Sequence, residues 1–114
     1  MAVAAIRTVS NVFTGDITAE VSSAAATNTS SPGKIDIVTL SSGANTITPP
    51  SSARACTIIP PSSNTTLITL KGVAGDTGIV LHLTDPTSIA INSASSTFVL
   101  SAAAQLAGVR LIWS

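Results

Sequence analysis

Charge is scarce in this sequence: 9% of its 114 residues are Asp, Glu, Lys or Arg, five of each sign, against about a quarter in an average soluble domain. With no basic run there is no electrostatic footprint of the kind a phosphate backbone or an anionic bilayer needs, so neither nucleic acid nor membrane is expected as a partner. Aromatic residues are nearly as rare, with two Phe, one Trp and no Tyr, which removes the ring platforms on which sugar sites are usually built. The single cysteine, Cys56, cannot form an intramolecular disulfide or a multi-cysteine zinc site. No apolar stretch approaches the roughly 18 residues of a membrane helix. The start, MAVAAIRTV, has no basic residue ahead of its short apolar stretch, so no export signal is expected.

What the chain has instead is hydroxyl groups and β-branched side chains. Ser and Thr exceed a quarter of the residues, a composition that often goes with disorder, yet Val, Ile and Leu recur at regular intervals from residue 35 onward and predict a folded core there. The first segment, 1–21, is apolar at Val3, Ile6, Val9 and Val12, a spacing of three that fits neither strand nor helix. Ile17, Ala19 and Val21 then alternate with polar residues, and the segment is expected to be an extended, partly strand-forming arm. Residues 22–33, SSAAATNTSSPG, contain no large apolar side chain and end in Pro-Gly, the composition of a linker. The arm is therefore expected either to dock on a neighbouring subunit or to add a strand to its own domain.

The domain itself is assigned to 34–114. Candidate strands are Ile35–Leu40, Asn45–Thr48, Arg54–Ile59, Thr65–Lys71, Gly78–Leu83, Ser88–Ile91, Thr97–Leu100 and Gly108–Trp113, separated by Gly, Pro, Asn and Ser clusters. The pattern predicts an all-β, antiparallel β-sandwich, jelly-roll-like, of about eight short strands with an extended N-terminal arm. The central feature is the hairpin from Thr65 to Leu83, two apolar runs joined by Gly72-Val-Ala-Gly75-Asp-Thr-Gly78. Two Pro-Pro-Ser-Ser segments, at 49–52 and 60–63, bracket the strand at Arg54–Ile59 and end its ladder on both sides. Alternation places Ile35 and Ile37, Ile68 and Leu70, Ile79, Leu81 and Leu83, and Val109, Leu111 and Trp113 on the core face. The other face is also apolar at Val38, Leu40, Leu67, Val80 and Ile112, and a soluble monomer seldom leaves such a surface bare.

The candidates for chemistry are few. Gly72, Gly75 and Gly78 have the spacing of a phosphate cradle, but a strand follows them where a phosphate loop opens a helix, so reversal of the chain accounts for them better. Cys56 and His82, with Asp85 as orienter, are the one nucleophile–base pair the composition allows, and Cys56 sits in an apolar run suited to an inert buried thiol. His82 with Asp76 or Asp85 lacks metal-ligand spacing. Asn28-Thr-Ser and Asn64-Thr-Thr match the glycosylation pattern but are discounted without an export signal. A protein that is not an enzyme, with no cofactor and no metal, is the expectation.

The stretches KGVAGDTGI (71–79), LTDPTSIAI (83–91) and the terminal GVRLIWS (108–114) follow one another in an order that resembles small virion structural proteins of tailed bacteriophages. The resemblance covers about the last 45 residues. It implies a β-sandwich module repeated on the particle, as a capsid decoration or cement protein or as part of a fibre or tail, located in the virion and assembled in the host cytoplasm. The expected partners are further copies of the chain, as a homo-oligomer with a trimer favoured, and the major capsid protein or another virion protein. The alternative is a receptor- or glycan-binding module carried on loops 41–45, 60–64, 72–78 and 92–96. No functional residues carry over from the resemblance. The residues themselves nominate Val3, Ile6, Val9, Val12, Phe13, Leu67, Val80 and Trp113 as partner contacts.

Overall fold

A computed structural model of the protein describes residues 3–8, 10–13, 19–22, 25–92 and 96–114, with the backbone alone for 11–13 and 19–22. Every element among them is a strand. In chain order these are β1 (Val3–Arg7), β2 (Ser10–Phe13), β3 (Ala19–Ser22), β4 (Ala26–Ser31), β5 (Lys34–Leu40), β6 (Gly43–Ile47), β7 (Ala55–Ile59), β8 (Ile68–Lys71), β9 (Ile79–Val80), β10 (Thr87–Ala90), β11 (Phe98–Ala102) and β12 (Leu106–Trp113).

From β5 onward the strands form two four-stranded antiparallel sheets, ordered β10-β7-β12-β5 and β6-β11-β8-β9. The pairings are nested: β8 with β9, β7 with β10, β6 with β11 and β5 with β12. The domain is thus one long hairpin whose midpoint is the loop between Lys71 and Ile79, rolled so that β7 also pairs with β12 and β8 with β11. The hairpin at the midpoint is shorter than the sequence predicts, since β9 contributes two residues. Leu81 extends it by one bond, from its amide to the carbonyl of Ile68 at 2.8 Å.

The two sheets pack face to face, a sandwich-like arrangement. Leu40, Cys56, Ile58, Val109, Leu111 and Trp113 from one sheet meet Ile68, Leu81, Phe98, Leu100 and Ala102 from the other. The rings of Phe98 and Trp113 lie 6.2 Å apart and tilted at 52°, within the range of favourable aromatic pairs. Each large aliphatic side chain fully withdrawn from water here contributes about 1.5–3 kcal/mol.

The turns follow from the proline pattern. The amide of Ala53 bonds the carbonyl of Pro50 at 3.2 Å and that of Asn64 bonds Pro61 at 3.0 Å, so both Pro-Pro-Ser-Ser segments close with the same bond, although Ser52 takes a left-handed φ of 69 and Ser63 does not. At the midpoint loop Gly78 has φ +74, and a Cβ there would stand 2.5 Å from the carbonyl oxygen of Leu70. Close approach of the returning chain to β8 requires glycine at this position.

Three expectations are corrected. The face of β5 is reversed: Asp36, Val38 and Leu40 point inward, while Ile35 and Ile37 are 62% and 73% exposed. The run IDIVTL carries two aliphatic residues at each parity, so alternation alone does not rank the faces. Ile79 and Leu83 also leave the core: Ile79 is exposed although it pairs with Leu70 at the free edge, and Leu83 lies past the last ladder bond, at Leu81. Finally, the count of eight strands and the linker at 22–33 both fall short of the structure, because residues 3–31 add strand pairs of their own. Ala26–Ser31 is β4. Its small polar residues pair with β1, and Asn28 and Ser31 are buried.

Among the described residues β1 pairs only with β4, and β2 only with β3. Val3 lies opposite Ser31 and Arg7 opposite Ala26 in the first pair, and Ser10 opposite Ser22 and Phe13 opposite Ala19 in the second, with the register offset by one residue between the two. β1 and β4 thus form a two-stranded ribbon. The radius of gyration is 15.3 Å, where a compact domain of this length has about 13 Å.

Candidate functional site

Among the described residues those with reactive side chains do not converge. Cys56 is fully buried between the sheets, and burial first, then the negative charge of Asp36, pushes its thiol up to about 12. That keeps the sulfur protonated, the opposite of what a nucleophile needs. His82 lies on the surface, where its Nδ1 accepts the amides of Thr84 at 3.2 Å and Asp85 at 3.0 Å, and Oδ1 of Asp85 is 3.5 Å away. The histidine caps the turn at Asp85-Pro86. Asp76 accepts the amide of Val73 at 3.0 Å inside the midpoint loop. Among the described residues no group of three or more His, Cys, Asp or Glu lies close enough together to hold a metal.

The surface with the most to explain is the ribbon and the sheet beside it. The base of the ribbon is anchored at three points. Val3 packs against Gly33, at the start of β5. Asn28, buried on β4, donates to the carbonyl of Ser52 at 2.9 Å and accepts the amide of Ser30 at 3.1 Å. On the far side of the sheet Arg7 donates to the hydroxyl of Ser88 on β10 at 3.4 Å, and Thr57 on β7 donates to that same hydroxyl at 3.3 Å. A cavity of about 90 Å³ remains between Ala5, Arg7, Ala26, Thr27 and Asn28 of the ribbon and Arg54, Ala55 and Ser114 of the domain. The ribbon thus crosses the strands at the end of the sheet where β5 begins and β12 ends, running from the β5 side toward β10.

The outer face of that sheet is bare beyond the crossing. Register sets Ile37 beside Arg110 and Arg110 beside Ile59, and Ile35 beside Ile112 and Ile112 beside Thr57. Four isoleucines and one arginine therefore form an aliphatic patch on β5, β12 and β7. A second exposed apolar group, Leu67, Val73, Ile79 and Val80, surrounds the free edge at β9.

The nominated contacts fall in different places. Val3 and Ile6, at 49% and 70% exposed, stand on the ribbon, and Leu67 and Val80 stand in the β9 group. Val9 lies outside the described residues, and so do the side chains of Val12 and Phe13, whose backbone belongs to β2. Trp113 is corrected: it is 1% exposed, and its indole bonds inward to Asp36, so it is core and no partner can reach it. Alternation missed Ile35 and Ile37 because it put them on the wrong face. The two glycosylation-like motifs are structural as well. Asn64 is buried, donates to the carbonyls of Thr66 at 2.9 Å and Leu83 at 2.7 Å, and accepts the amide of Thr66 at 2.8 Å. Neither Asn28 nor Asn64 has a side-chain amide free for a glycan.

Between the sheets' open edges lies a cleft of about 600 Å³, bounded by the midpoint loop and the approach to β11. Leu70, Ile79, Ile89, Ile91 and Phe98 form its apolar wall, and Lys71, Asp76, Thr77, Ser96 and Thr97 its rim. The size suits a small ligand, but Phe98 is buried and offers no exposed ring to a sugar.

The chain matches no known family model, no curated protein and no solved structure.

Proposed function

We propose that the protein is a non-enzymatic virion structural subunit of a tailed bacteriophage, which assembles as a homo-oligomer, a trimer being favoured, and decorates or cements the capsid by contact with the major capsid protein. The observation that carries the assembly part is the N-terminal ribbon. An isolated two-stranded ribbon is marginal in water, and stability needs a third strand or a packed face. Among the described residues β2 and β3 pair only with each other. The exposed isoleucines beside the ribbon supply a surface on which such an element gains burial.

The particle part rests on the resemblance of the last 45 residues and on topology. The nested order β5-β12-β7-β10 facing β6-β11-β8-β9 is that of a hairpin rolled into two Greek keys, which supports the jelly-roll reading and agrees with a use common among capsid proteins. Light scattering of the full chain tests assembly, with a discrete oligomer expected. Sedimentation with capsids from the phage whose genome encodes the chain tests decoration. A monomer that fails to sediment with them would sink the proposal.

The cleft between the sheet edges favours one second reading, a receptor- or glycan-binding module of a fibre or tail. In that case Lys71→Ala or Asp76→Ala abolishes binding in a glycan or cell-binding screen and leaves assembly intact. A screen without a hit removes this reading.

A further inference from the structure

We propose that β5 pairs with β5 of a second copy, edge to edge and antiparallel across a two-fold axis at Ile37, so that one four-stranded sheet continues into the other. The inference rests on the homo-oligomer reading above and adds one contact with its register; trimers formed by another surface would meet in pairs through it.

The backbone determines what the edge accepts. The amides of Ala55 and Ser114 each bond the other's carbonyl, at 2.9 and 3.0 Å, and this reciprocal pair sets the phase of the antiparallel ladder. Counting back along β12, Ile112 and Arg110 aim their backbone groups at β7, while Trp113, Leu111 and Val109 aim theirs at Lys34, Asp36 and Val38 of β5. The alternate residues Ile35, Ile37 and Thr39 therefore turn N–H and C=O away from β12, and among the described residues no strand lies on that side. All three are exposed. A row of unpaired donors and acceptors beside apolar side chains is a template for one more extended strand.

The other sheet edges are protected. β9 has two residues, β10 has four and follows Pro86, and β6 begins at Gly43 with φ +94. Shortness, proline and distortion are the usual means of blunting an edge. β5 has seven residues, and the side chains at its unpaired positions are Ile, Ile and Thr.

Self-pairing satisfies this edge. An antiparallel pair made of the same strand is isologous by construction, and only registers that set odd-numbered residues against odd-numbered ones match the unpaired groups. Centred on Ile37, the strand makes three reciprocal pairs, Ile37 with Ile37 and Ile35 with Thr39 on either side. Centred on Asp36 or Val38 it makes two, and the former also opposes two carboxylates. The Ile37 register sets Asp36 against Val38 and Lys34 against Leu40, so no like charges meet. Covering Asp36 strands neither oxygen, because Trp113 donates to Oδ2 at 3.0 Å and Nζ of Lys34 lies 3.5 Å from Oδ1. The aliphatic patches of the two copies then run on as one across the axis.

Cysteine pairing in the full chain tests the register. Opposed residues of a reciprocal pair have Cα atoms about 5.5 Å apart, within disulfide reach, whereas two copies of residue 35 would stand about 13 Å apart. On mild oxidation Ile37→Cys is expected to give a covalent dimer and nothing larger, since Cys56 is buried. Ile35→Cys alone gives none, and a mixture of Ile35→Cys with Thr39→Cys does. As a second measurement, Ile37→Pro removes an outward N–H and no bond to β12, and it is expected to sediment at half the mass of the parent assembly. If Ile37→Cys does not link, if Ile35→Cys links to itself as readily, or if folded Ile37→Pro keeps the parent's mass, the edge contact is wrong. A parent trimer in which Ile37→Cys stays unlinked sinks the contact and leaves the homo-oligomer standing; a parent monomer sinks both.

Discussion

The indole Nε1 of Trp113 donates to Oδ2 of Asp36 at 3.0 Å, across neighbouring strands β12 and β5 at the margin of the apolar core. This bond explains why Asp36 faces inward: a buried indole N–H without an acceptor is costly, and the carboxylate satisfies it. The other oxygen, Oδ1, lies 3.5 Å from Nζ of Lys34, at the mouth of the sheet. The arrangement also sets Asp36 close enough to Cys56 to disfavour the thiolate.

Asp36→Ala is expected to destabilise the fold by about 1–3 kcal/mol, since it strands the indole N–H. Asp36→Asn keeps an acceptor oxygen and is expected to cost less. Urea unfolding followed by the fluorescence of Trp113, the one tryptophan, measures both; equal losses in the two variants would show that the bond is not what matters.

The thiol of Cys56 gives the fold a defined alkaline limit. Its folded value is about 12 against an ordinary 9.0, so above pH 9 the unfolded chain releases a proton that the folded chain retains. Stability from this group is complete below pH 9 and is lost as pH rises toward 12, with a slope of about 1.4 kcal/mol per pH unit in that window. In Cys56→Ala that slope is expected to be shallower by this one-proton amount, although its stability at neutral pH is lower through the cavity. Parallel slopes for the two proteins between pH 9 and 11 would contradict it.

Gly78→Ala and Gly75→Ala separate space from composition in the midpoint loop. A Cβ at residue 78 meets Leu70 and Lys71 of β8 at a left-handed φ, whereas one at residue 75 meets nothing within 4 Å. Thermal melts should show a loss of about 1–3 kcal/mol for the first and a change within about 0.5 kcal/mol for the second.

The two buried asparagines are expected to act at different ranges. Asn64→Ala removes the bonds that tie the second Pro-Pro turn to the carbonyl of Leu83, and it should lower global stability by about 1–3 kcal/mol. Asn28→Ala frees the ribbon base from Ser52. Hydrogen exchange should quicken across residues 26–31 and remain unchanged at Ile58 and Leu111. Uniform quickening would show that ribbon and sandwich unfold together.

Much of the architecture was legible because strand chemistry is local. Pro49-Pro50 and Pro60-Pro61 forbid a ladder, Gly78 permits a reversal, and the apolar runs between such points had to be strands; each of the eight expected runs overlaps one. The strict alternation of Val109, Leu111 and Trp113 identified the core face of β12 without ambiguity. Residues 26–31 were not legible, since Thr-Asn-Thr-Ser carries no apolar signal and becomes a strand only through β1 and the anchor at Ser52.

Composition and spacing alone made this chain all-β, fixed where its turns fall and left it one cysteine, one histidine and five acids for chemistry, because those properties depend on backbone restriction and on counts. Packing in three dimensions was needed to establish which side of β5 faces the core, that Trp113 is buried and that β1 and β4 form a ribbon reaching across the sheet. Each of those is settled by a partner distant in the chain: Asp36 for Trp113, Ser88 for Arg7, Ser52 for Asn28. A period of two says that two faces differ, and it takes the opposing sheet to say which of them is dry.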